Sequence, residues 1–114
     1  KDAPFFGVGL GDIQDKLNDC YQENINSKVY KWHTYNTHNQ YAFFWIASGV
    51  LGLISFLALI CINFLNSFKK KNILLFYLSG ITTMLFFTEN LLQRSDGVLF
   101  YFFFISLLFF NKKK

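Results

Sequence analysis

The chain has 114 residues, of which 53% are hydrophobic and 21% aromatic, and its mean hydropathy of +0.27 exceeds what a small soluble domain needs to build a core. Sixteen Phe exclude a disordered low-complexity array, and a polar-run Cys20 with an apolar-run Cys61 excludes a disulfide-built module. The net charge of +4 does not point to nucleic acid, because six of the eleven cations are gathered in two lysine triplets without a groove-lining pattern of arginines and aromatics.

Charge is absent from 43–68, 72–88 and 97–111, so the fold expected is all-α, a polytopic transmembrane helix bundle. Lys1 stands first and no basic-then-apolar leader follows it, so the sequence reads as the C-terminal portion of a longer protein, a fragment with three spans and an N-terminal periplasmic segment.

In chain order, residues 1–41 read as that periplasmic segment. PFFGVGLGD places Gly7, Gly9 and Gly11 in a turn, after which Asp12 caps a short amphipathic helix whose apolar positions are Ile13, Leu17, Cys20, Tyr21 and Ile25. The following NINSKVYKWHTYNTHNQ has the polar and aromatic composition of a membrane boundary, with Tyr30, Trp32, Tyr35 and Tyr41.

The next elements are a transmembrane helix at 42–68, a cytoplasmic loop at 69–72, a second span at 73–88, a periplasmic turn at 89–97, a third span at 98–111 and a cytoplasmic tail at 112–114. A run of about 28 residues gives some 40 Å of helix, enough for the ~30 Å hydrocarbon core with tilt. The second and third runs are short and rely on flanking lysine stems to reach the headgroups. For the third, a re-entrant or interfacial segment stays open. Because both lysine triplets follow odd-numbered spans and the intervening segments are net acidic, the positive-inside rule places the triplets in the cytoplasm and 1–41 and 89–97 outside.

GVGLGD lacks the Lys-Ser/Thr of a phosphate-binding loop and the GxGxxG spacing, so it is read as a turn. His33 and His38 have no partners at metal-ligand spacing, and Ser48, ten residues beyond His38 and inside a span, offers no hydrolytic triad. His38 stands at the outer lip of the first span, where an imidazole can serve as a proton acceptor or as a hydrated anchor.

The string HNQYAFFWIASGVLG, with His38 followed after ten residues by Gly49 and then by Gly52, resembles the histidine signature of the O-antigen ligase and O-antigen polymerase superfamily. GVGLGDIQDKL upstream and TENLLQRSDGVLFYFFFISLL downstream resemble the periplasmic loop and last outer turn of its Bacteroidota-type members. The resemblance implies a glycosyltransferase without metal or other cofactor, in the bacterial inner (cytoplasmic) membrane with its active face periplasmic. The donor would be an undecaprenyl-diphosphate-linked glycan, and the acceptor a sugar hydroxyl of lipid A core or, in a polymerase, another growing glycan.

On that reading His38 is the candidate base, or the group that orients the acceptor hydroxyl. Arg94, the only arginine, is either a diphosphate clamp or an interfacial anchor paired with Glu89 or Asp96. Glu89 could order His38 or pair with Arg94, and Asn39 lies beside the site as a substrate contact or as a helix cap. Gly49 and Gly52 are expected to permit close helix packing. A non-enzymatic membrane assembly subunit is the alternative from another class.

Overall fold

The computed structural model describes residues 5–24 and 36–110. Four helices run α1 (Ile13–Asn24), α2 (Gln40–Lys70), α3 (Ile73–Thr88) and α4 (Ser95–Phe110), with a 3-10 turn at Leu91–Gln93, and no strand occurs among the described residues. The all-α expectation holds. By length and composition α2 is able to cross a membrane, whereas α3 and α4, at 16 residues each, are apolar but shorter. His33, Tyr30, Trp32, Tyr35, Ile25 and Lys112 to Lys114 lie outside the described residues.

Only Lys71 and Asn72 separate α2 from α3, which forces the two helices antiparallel. Lys71 takes the left-handed conformation, at φ 50°, that closes α2, and the next amide, Asn72 N–H, donates to Ser67 O at 2.9 Å. Asn72 then accepts from Leu75 N–H at 3.2 Å and so opens α3. Phe56 and Ile60 of α2, Leu75 and Phe86 of α3, and Tyr101 and Ile105 of α4 form the buried core. Inside it Asn63 donates to the Tyr101 hydroxyl at 3.1 Å. Helix α4 begins at Ser95 rather than 98, because Arg94 O already accepts from Val98 N–H at 3.0 Å.

Helix α2 is not continuous. Gly49, at φ 64° and ψ −158°, occupies a region of backbone space essentially reserved for glycine, and about 21 residues of helix follow it, still some 31 Å. The chain doubles back there: the Phe44 and Phe56 rings stack at 4.5 Å and the Tyr41 and Phe56 rings lie 5.4 Å apart. In a straight helix residues twelve apart would be about 18 Å apart along the axis. Thus the segment before the break folds over the start of the long helix instead of extending it.

The break frees carbonyls that a helix would have satisfied, and the N-terminal segment supplies the missing donors. Val8 N–H reaches Ile46 O at 2.8 Å and Gly9 N–H reaches Ala47 O at 2.9 Å. Approach this close requires that neither surface carry a side chain: a Cβ on Gly49 would overlap the Phe5 carbonyl, and one on Gly7 would overlap the Ala47 backbone. Gly49 therefore does permit close approach, but to a turned, non-helical strap of chain. Helix α1 completes this second cluster, with Ile13 buried against Phe43 and Ala47 and Leu17 packed beside them. Cys20, expected on its apolar side, is exposed.

Candidate functional site

The loops at 36–39 and 89–94 meet at one end of the bundle, and the lysine loop lies at the other. Lys70 Nζ donates to Phe109 O and Asn72 Nδ2 donates to Leu108 O at 3.0 Å, which puts the end of α4 beside residues 70–72. All four residues expected at a site, His38, Asn39, Glu89 and Arg94, fall on the two loops of the opposite end.

Asn39 is the cap of α2: its Oδ1 accepts from Tyr41 N–H and Ala42 N–H, each at 3.0 Å. Its side-chain oxygen is thereby committed to the helix, and it fixes where His38 leaves the chain. His38 is left-handed, at φ 46°, a conformation that costs an L-residue about 1–2 kcal/mol. The imidazole is turned outward and 63% exposed, with Nδ1 3.7 Å from Glu89 Oε2. This separation is too long for a direct hydrogen bond but close enough for charge attraction when the ring is protonated, or for one bridging water. Glu89 ends α3 in extended conformation, its N–H bonded to Leu85 O at 2.9 Å, so its carboxylate points off the helix end.

Beneath this pair lies a layer of carboxamides. The buried Asn90 donates through Nδ2 toward Asn36 Oδ1 at 2.6 Å, Thr37 Oγ1 at 2.7 Å and Gln93 Oε1 at 2.9 Å. Asn36 Nδ2 donates to Gln93 Oε1 at 2.7 Å, and the fully buried Gln40 accepts from Leu92 N–H at 2.8 Å. These bonds hold the His38 loop and the Glu89 loop together. Gln40 Nε2 and Asn90 Oδ1 are buried without a hydrogen-bond partner among the described residues, which leaves one donor and one acceptor uncompensated at this end.

Tyr41 packs its ring against α3 and the core, half-buried. Its hydroxyl donates to Thr83 O at 3.1 Å, and its ring lies 4.5 Å from that of Phe87. It locks the short segment before the break onto α3.

Arg94 follows the 3-10 turn with its side chain exposed, and among the described residues it forms no ion pair with Glu89 or Asp96. Gln93, its neighbour, bonds Asn36, two residues before His38, so arginine and histidine stand on joined loops. No group of three metal-ligating side chains occurs among the described residues.

Sequence reasoning missed Asn36, Thr37, Gln40, Asn90 and Gln93 as a unit. The signal was the carboxamide density of NTHNQ and of ENLLQ, two short stretches that meet only in the fold. No family model, no curated protein and no solved structure matches this chain.

Proposed function

We propose that the chain is part of a metal-independent transferase that moves a glycan from an undecaprenyl-diphosphate donor to a sugar hydroxyl of lipid A core, working at the periplasmic face of the bacterial inner membrane. The observation that carries this reading is the exposed His38 imidazole, held in a left-handed conformation beside Glu89 at the end of the bundle remote from the lysines. Backbone strain is kept where the surroundings over-determine it, and such positions concentrate at functional sites.

The chemistry asks for little. His38 takes the proton of the acceptor hydroxyl as its oxygen attacks the anomeric carbon, the bond from that carbon to the diphosphate breaks, and the diphosphate leaves with its electron pair. Glu89 Oε2, 3.7 Å from Nδ1, faces the ring on the side away from the reacting nitrogen. Arg94, unpaired among the described residues, offers a fork of N–H donors to the diphosphate. The carboxamide layer beneath holds the His38 and Glu89 loops together. With a growing glycan as acceptor, the same steps are polymerisation.

A second reading, a non-enzymatic assembly subunit, is favoured by the exposed stripe of Leu74, Tyr77, Ile81 and Met84 on α3, which suits a neighbouring helix as well as lipid. One experiment separates the two. In the full-length protein His38→Ala should abolish transfer from the lipid-linked donor while membrane insertion is retained; transfer at the normal rate by the variant removes His38 as the base, and no transfer by the unaltered protein leaves the assembly reading.

A further inference from the structure

The stretch from Phe5 to Gly11 carries no charge, and its large side chains divide between two directions. Val8 packs inward with the Ile13, Phe43 and Ala47 cluster, whereas Phe5, Phe6 and Leu10 are 66%, 79% and 72% exposed. Apolar groups gathered outside on one short turn mark a contact with another molecule or with a membrane.

The strap is fixed in position. Its Val8 and Gly9 amides are bonded to Ile46 O and Ala47 O, and the Phe5 carbonyl lies against Gly49. Phe5 and Phe6 are thereby held at the level of the break, where the long arm of α2 begins. From the break to Lys70 that arm runs about 31 Å, the thickness of a ~30 Å hydrocarbon core. A bilayer with Lys69, Lys70 and Lys71 at one boundary therefore has the break and its strap at the other. The exposed apolar surface of the arm continues up to this level through Ile54 and Leu51.

Area decides between a protein and a lipid occupant. A stable protein interface takes roughly 800 Å² from each partner, whereas two phenyl rings and one leucine offer on the order of 400 Å². The strap offers no strand edge either, since its central amides are already bonded.

We propose that Phe5, Phe6 and Leu10 enter the boundary of the leaflet opposite the lysines, a lipid contact that anchors the strap beside the long arm of α2. The proposal rests on the membrane reading but not on glycan transfer. The contact lies at the boundary and not deeper, because the other peptide groups of the turn need water within reach.

The test places a nitroxide on one introduced cysteine of the full-length protein, its other cysteines replaced, in phosphatidylcholine vesicles. Collision with oxygen, which concentrates in lipid, is compared with collision with a water-soluble nickel chelate. Leu57→Cys, exposed on the long arm, reports the span, and Lys16→Cys, exposed on α1, reports water. At Phe6→Cys and Leu10→Cys the oxygen-to-nickel ratio should lie several-fold above that at Lys16→Cys and below that at Leu57→Cys. All four side chains are exposed, so these exchanges leave the core intact. Ratios at Phe6→Cys and Leu10→Cys no higher than at Lys16→Cys, with Leu57→Cys rich in oxygen, would overturn the proposal. So would weak collision with both reagents at Phe6→Cys, the mark of cover by protein. Free access of nickel to Leu57→Cys would instead overturn the membrane reading.

Discussion

The two ends of this bundle are closed by different means. At the lysine end the polypeptide turns in two residues, and Lys70, Asn66 and Asn72 reach across to the last carbonyls of α4, so helix ends are satisfied by nearby side chains. At the histidine end a helix is interrupted at Gly49, the freed carbonyls are taken by the amides of a distant strap, and two loops are tied through carboxamides some fifty residues apart in sequence. The lysine turn itself is closed by local caps at Lys71 and Asn72, and its ties to α4 join residues 36 to 43 apart in sequence. The polar ties of the histidine end depend on the whole fold, and they hold a strained, exposed imidazole in place.

If this contrast is right, substitutions at the histidine end should cost more, and Gly49→Ala should cost most. Its Cβ would meet the Phe5 carbonyl in a backbone region that alanine avoids, so a loss of about 3 kcal/mol is expected, read by thermal unfolding and by faster amide exchange at Val8 and Gly9. Native-like protection of those two amides would show that the strap does not depend on the break. Asn90→Ala removes the buried carboxamide that joins Asn36, Thr37 and Gln93 and should cost about 2 kcal/mol in chemical denaturation. An effect confined to a few tenths would mean that the two loops hold together without it.

Smaller effects sharpen the comparison. Asn39→Ala removes the cap of α2 at about 1 kcal/mol, whereas Asn39→Asp keeps it, and the pair can be compared in a single melting series. The smallest stability change is expected for His38→Gly, because glycine accepts the left-handed backbone and offsets any lost contact to within about 1 kcal/mol. That variant should nevertheless lose glycan transfer; unimpaired transfer in a folded His38→Gly protein would return His38 to a purely structural place.

The helices were legible because charge is excluded from three long runs, and the Asn39 cap was legible as a choice between two roles, now decided for its side-chain oxygen. The break at Gly49 was not. A glycine in an apolar run carries the same sequence signal whether it lets two helices touch or ends one, and here the strap at Phe5 to Gly9 decides between them. The packing of Tyr41 was hidden for a related reason: doubling back at Gly49 carries it against Phe56 and Phe87. The carboxamide layer was hidden because its members lie on two loops that no local pattern joins.

The account depends on the two ends facing opposite sides of a bilayer, and thiol accessibility tests this most directly. In intact cells a membrane-impermeant maleimide should modify His38→Cys in a Cys20→Ser background, and should modify Lys69→Cys in the same background only after the membrane is opened. Labelling of Lys69→Cys from outside with His38→Cys protected until opening would contradict it.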